Sequence, residues 1–143
     1  MADLAWNSDL ELGVARMDTT HREFVDLLAA VADAADADLA QALSNLIEHT
    51  VQHFAQENRW MELSGFGPMC HIGEHQQVLA VMREVHARVV DGDLAIGRKL
   101  ATELARWFEH HASTMDTILV SHMVEVGFDP ESEQATAAAS SPA

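Results

Sequence analysis

Residues 49–75 read HTVQHFAQENRWMELSGFGPMCHIGEH. His53 is followed four residues later by Glu57, and His71 four residues later by His75. Between the pairs stands a Gly65-Phe66-Gly67-Pro68 break. Four residues of α-helix turn about 400°, so each pair lands on one helix face, a turn apart. Two helices folded back across the break aim four metal-liganding side chains at one point.

Working outward, the spacing of apolar residues predicts four helices. The first is capped by Asp18 and carries His21, Phe24, Val25, Leu27, Leu28 and Val31 inward, ending near Ala35. The second opens on an Asp38/Gln41 capping box, follows Leu39, Leu43, Leu46, Ile47, Val51, Phe54 and Met61, and stops at Gly65. The third starts at Pro68 and runs through Val78, Leu79, Met82, Val85 and Val89. After the Asp91-Gly92-Asp93 turn, Asp93 caps the fourth. That helix tolerates Gly97 and carries Leu100, Leu104, Trp107, Phe108, His111, Met115, Ile118 and Leu119, fading around Val124 to Phe128. Short turns make neighbours antiparallel, so the fold class is all-α, an up-down-up-down four-helix bundle. The domain is expected over 1–128, with an N-terminal arm at 1–17 whose Trp6 packs on it. Residues 129–143, ending QATAAASSPA, read as a disordered C-terminal tail.

Composition narrows the function. A chain of 143 residues with 48% apolar content suits one domain and can bury a real core. A formal charge of −15 with no Lys/Arg cluster argues against nucleic acid or an anionic membrane as partner. No apolar run spans a bilayer, and the start MADLAWNSDLELG lacks the features of a signal peptide. With one cysteine, Cys70, no disulfide closes within the chain, and a cytoplasmic location is expected. Nine histidines are many for this length.

Several of them fall on the bundle's inner faces. The first helix offers His21, the second His53 and Glu57, the third His71 and His75, the fourth His111 and Asp116. Asp116 lies five residues after His111, about 140° round a regular helix, so its short carboxylate must reach sideways. In alternating antiparallel helices all seven levels cluster near one end of the bundle.

The pattern resembles the hemerythrin family in its bacterial single-domain form. The pieces carrying the resemblance are Trp6…Gly13…Met17-Asp18-x-x-His21; His53-Phe54-x-x-Glu57-x-x-x-Met61; His71-x-x-x-His75; and Trp107-x-x-x-His111-x-x-x-x-Asp116. The resemblance implies two non-haem Fe ions. His71, His75 and His111 would hold one, and His21 and His53 the other. Glu57 and Asp116 would bridge both, together with an oxide or hydroxide. Two six-coordinate irons so held leave one position open, on the iron with two histidines. The implied function is reversible dioxygen binding for storage, delivery or sensing. The alternative is a di-iron enzyme reducing O2, peroxide or nitric oxide, and a sensory interaction module is a third class. O2 is the implied ligand, and the chain is expected as a monomer or weak oligomer.

Phe24, Trp107, Phe108 and Ala112 are the candidate walls of the O2 pocket. The family often carries a second Glu where this chain has Asn58, and a bulky aliphatic where it has Ala112. The small Ala112 predicts a looser pocket and faster autoxidation. His49, one turn before His53, is expected as a partly exposed polar residue, with a place beside the site as the other reading. His86 and His122 each lie about 16 Å along the helix from a ligand, too far to join. His110 is expected at the surface, and Cys70 as a buried small hydrophobe.

Overall fold

The computed structural model describes residues 6, 8–67 and 69–135. Helices α1 (Ala15–Asp33), α2 (Leu39–Ser64), α3 (Met69–Val90) and α4 (Leu94–His111) form the expected bundle. Each packs on the next, and α4 closes back on α1. A π turn at Ala112–Asp116 joins α4 to α5 (Thr117–Val126), which prolongs the fourth helix. Strands β1 (Phe128–Asp129) and β2 (Gln134–Ala135) then pair antiparallel.

The apolar stripes make two cores. The larger contains Phe24, Leu28, Val31, Leu39, Leu43, Leu46, Met82, Leu100, Leu104 and Phe108, with Trp6 packed against it as expected. The smaller contains Met17, Trp60, Met61, Leu119, Met123 and Phe128. On α1, α2 and the fourth helix the candidate ligands lie between residues of these two cores. A polar layer is therefore shut in from both sides, and burying it demands that its groups satisfy one another.

The helix ends follow local chemistry. Gly65 takes φ 71°, and Phe66 N–H donates to Met61 O at 2.8 Å, which ends α2 with a left-handed residue as expected. Asp93 caps α4 by accepting from Ile96 N–H at 3.2 Å. Gly97 is buried where α4 crosses its neighbours: an added Cβ would stand 2.7 Å from Val89 Cγ2.

Other expectations are corrected. Asp18 is not the N-cap of α1 but a residue of its first turn. Its carboxylate reaches back to Leu12 N–H (2.8 Å) and Gly13 N–H (3.1 Å), so the helix starts earlier, at Ala15. Asp38 and Gln41 make no capping box: Asp38 ends a 3-10 turn, and Gln41 donates to Asn45 Oδ1 at 2.9 Å. The start expected at Pro68 lies outside the described residues. Residues 129–135, expected within the tail, instead form a hairpin in which β2 folds back on β1. That hairpin is clipped on through Glu131, which accepts from Arg16 N–H (3.2 Å), and Glu133, which meets Arg59 Nε (2.8 Å). Residues 136–143 of the expected tail lie outside the described residues.

The π turn is the largest departure from the predicted helices. An i→i+5 turn holds one residue more than an α turn, so the helix phase shifts. Ile118, expected inward, is 56% exposed, while Leu119 and Met123 are buried. Met115, also expected inward, is half-buried. Local hydroxyls make the wide turn tolerable. Thr114 and Ser113 donate to His110 O (2.7 and 3.1 Å), and Thr117 donates to Ala112 O (2.9 Å). These bonds give the carbonyls around the wide turn side-chain donors.

Candidate metal centre

All seven sequence-derived ligands meet in the polar layer. His21, His53, Glu57, His71, His75, His111 and Asp116 are each no more than 2% exposed. The four-residue steps work as expected: His53 Nε2 lies 2.8 Å from Glu57 Oε2, and the His71 and His75 rings stand 4.6 Å apart. Asp116 does not reach sideways. The π turn brings it over His111, with Oδ1 3.1 Å from His111 Nε2.

Donors fall into two groups that share the carboxylates. One is Glu57, His71, His75, His111 and Asp116, and the other is His21, His53, Glu57 and Asp116. Within each group, one donor atom per residue lies within 4.8 Å of all the others. The division runs through the carboxylate oxygens. Glu57 Oε2 faces His53 (2.8 Å) and His21 (3.3 Å), while Oε1 faces His75 (3.2 Å) and His71 (3.6 Å). Asp116 Oδ2 faces His21 (3.1 Å), while Oδ1 faces His71 and His111 (each 3.1 Å).

Cations fit this arrangement better than hydrogen bonds do. His71 Nε2, Glu57 Oε1 and both Asp116 oxygens are buried with no hydrogen-bond partner among the described residues, despite lying so close together. His75 Nε2 and His111 Nε2 stand 3.2 Å apart. Two nitrogens held at right angles on one cation, each at about 2.1 Å, would stand about 3.0 Å apart.

The electrostatics agree. For His21, burial opposes the charged form, but Asp116 and Glu57 outweigh it and push the imidazole up to about 10. The same contest takes His71 up to about 9 and raises His111. His75 goes the other way, because burial and its histidine neighbours outweigh Glu57. Burial works against the charge on both carboxylates, yet the surrounding histidines hold Glu57 and Asp116 below the usual carboxylate range. A metal must displace protons from this cluster to bind.

Two further residues orient the ligands. Asn58 Oδ1 lies 2.9 Å from His75 Nδ1, and Glu74 Oε1 lies 2.9 Å from His111 Nδ1. Accepting the Nδ1 proton leaves the Nε2 lone pair free to face a metal. Asn58 was visible only as a departure from a family pattern. Glu74 carried no signal, because a glutamate beside a ligand reads as an ordinary surface charge.

The aromatic walls divide. Phe108 meets the His21 ring edge-on at 5.0 Å, and Phe24 packs on Phe108 at 4.5 Å. Ala112 is buried in the same core. Trp107 lies elsewhere, stacked on His111 at 4.5 Å and 23°. Phe54 stacks on His75 at 3.9 Å and 5°, a wall that its apolar position alone did not reveal.

The leftover residues also find places. His49 is 18% exposed and bonds Glu23 Oε1 at 3.2 Å; burial lowers its pKa, although Glu23 pulls the other way. His110 is exposed and His86 half-buried. His122 donates from Nε2 to Ser64 O (3.0 Å), satisfying a terminal carbonyl of α2. Cys70 is exposed, which corrects the expected burial: it sits at the opening of α3 on the side away from the ligand face.

Fold and cluster define a helical bundle built around a buried His/carboxylate metal-binding layer. The hemerythrin HHE cation binding domain matches residues 12–122, and the chain belongs to the hemerythrin family. It is 46% identical to a bacteriohemerythrin of Ralstonia nicotianae, over 94% of this chain and 99% of that protein. A bacteriohemerythrin of Pseudomonas aeruginosa is 29% identical over 81% of this chain and 78% of its own length. A myohemerythrin of Riftia pachyptila is 26% identical over 78% of this chain and 86% of its own length. No solved structure matches the chain. No helix of the described residues is long and apolar enough to cross a membrane.

Proposed function

We propose that the chain binds dioxygen reversibly at a centre of two non-haem irons, for storage, delivery or sensing. His71, His75 and His111 would hold one iron and His21 and His53 the other, with Glu57 and Asp116 shared between the two. The observation that carries this reading is the division of the carboxylates. One oxygen of each faces the two-histidine group and the other the three-histidine group. A carboxylate serving a single metal would not need both oxygens aimed at separate sets of imidazoles.

When bound, the irons supply the electrons and the coordination position that dioxygen requires. The chain's own residues do the rest. The carboxylates offset the metals' charge in a dry layer, where an uncompensated charge is costly. Asn58 and Glu74 hold the Nδ1 protons of His75 and His111. Phe24 and Phe108 give His21 and His53 an apolar wall on the side of the core. Support for a binder over an enzyme comes from the lack of spare proton carriers. The sequence has no tyrosine, and the buried acids among the described residues are the two bridges.

Iron per chain, followed by absorption spectra through cycles of air and its removal, tests the proposal. Two irons and a visible band that comes and goes with oxygen are expected. Fewer than two irons would sink the site assignment. Irreversible oxidation with turnover would favour reduction of O2, peroxide or nitric oxide.

A further inference from the structure

The two sides of the metal layer differ in how they meet solvent. Over the three-histidine side, Trp107 covers His111, and Asn58 and Glu74 occupy the outer nitrogens of His75 and His111, while His71 Nδ1 has no partner among the described residues. On the two-histidine side, α1 and α2 leave a cavity of about 480 Å³ that is lined by His53 itself. His53 is 2% exposed, and its Nδ1 has no partner among the described residues. Beside Ala15, the walls include the polar Thr19, Thr20, Gln52 and Gln56. Arg16, also on this wall, donates to Gln56 Oε1 at 2.6 Å.

Glu23 and His49 meet on the wall of this cavity, Oε1 to Nε2 at 3.2 Å, and neither belongs to the metal layer. The His49 ring stands 6.0 Å from the His53 ring, and His53 Nε2 reaches Glu57 at 2.8 Å. An adjoining cavity of about 530 Å³ shares Glu23 and adds Glu11, Asp18 and Asp26. Its cation, Arg22, lies over the Trp6 ring at 4.7 Å. Carboxylate and imidazole donors thus form a file from an acidic surface to the buried bridge.

We propose that this groove is the loading route for the divalent metal, and that Glu23 and His49 bind the cation in transit. The proposal rests on the di-iron reading above. Imidazole and carboxylate suit ferrous iron. Two donors hold it weakly enough to release it to the buried cluster. A polar path lets a hydrated cation exchange its waters one at a time, and the acidic rim concentrates cations at the opening.

Ferrous iron is mixed anaerobically with the metal-free full chain, and unbound iron is read against time with a chelator. The Glu23→Gln/His49→Gln double variant is expected to load about tenfold more slowly and to reach the same two irons per chain. Glu103→Gln removes the same charge from the α3/α4 face and should load at the wild-type rate. The route is overturned if the double variant loads as fast as wild type, or if Glu103→Gln slows loading equally. A lower final iron content in the double variant would make Glu23 and His49 holding ligands and overturn their transit role. A wild type that ends below two irons removes the di-iron reading, and this proposal with it, by the end point rather than the rate.

Discussion

Glu74 is the sharpest place to test how the protein holds its metals. Glu74→Ala removes the acceptor 2.9 Å from His111 Nδ1 while leaving every ligand in place. The His111 ring can then rotate, and its Nε2 lone pair is no longer fixed on the site. Loss of such an outer partner costs about 10- to 100-fold in metal affinity. The structure places this case at the lower end, because Trp107 still stacks on the ring at 4.5 Å and His75 keeps Asn58. About tenfold, or about 1.4 kcal/mol, is therefore expected. Glu74→Gln removes the same charge but keeps an oxygen acceptor, so it should stay within about threefold of wild type. Anaerobic competition for ferrous iron against a chelator measures all three proteins. If Ala binds as tightly as wild type, the hydrogen bond does not orient His111. If Gln is as weak as Ala, the charge matters and the orientation argument fails.

Three further outcomes follow from the packing and the charges. Gly97→Ala puts a methyl 2.7 Å from Val89 Cγ2 and 3.1 Å from Leu39 Cδ2. The strain exceeds the gain in helix propensity, for a net loss of roughly 1 kcal/mol in urea unfolding; a stabilised variant would contradict this packing. In metal-free protein, the raised pKa values of His21 and His71 favour folding below the ordinary 6.5, and this is lost as pH rises through about 9 and 10. The lowered carboxylates act on the acid side, contributing above their ordinary range and losing that contribution as pH falls. Thermal melts of chelated protein should therefore drop between pH 6.5 and 10 more than those of the iron-loaded form, and equal drops would refute the cause. Ala112→Ile should slow decay of the oxygenated spectrum while costing about 1–3 kcal/mol in the closed core; an unchanged decay rate would detach Ala112 from the pocket.

Much of the site was legible because metal ligation imposes spacing. His53 with Glu57 and His71 with His75 can share a face only at such steps, and helices of this amphipathic period have one way to bring those faces together. The residues that tune the site were not legible. Glu74 acts through an imidazole on another helix, and no periodicity distinguishes it from a solvated acid. Trp107 and Phe108 are adjacent in sequence, yet they meet different halves of the layer, which only the helix phase decides. The arm failed for a related reason. Asp18 has the chemistry of a cap, but it serves donors upstream rather than its own helix. The register after His111 was lost because one additional residue among Ser and Thr leaves no mark on composition.

That additional residue has a consequence for how the fourth helix tolerates changes in length. It works like an inserted letter after which the text is still read in a consistent frame. Counting from His111 with one residue skipped, Asp116, Leu119 and Met123 fall where a regular helix would place Met115, Ile118 and His122. Deleting exposed Ser113 would therefore merge α4 and α5 into a continuous helix and keep the carboxylate over His111. Adding a residue there would instead rotate everything downstream by about 100°. The helix can be shortened by one residue between its two ligands, but not lengthened.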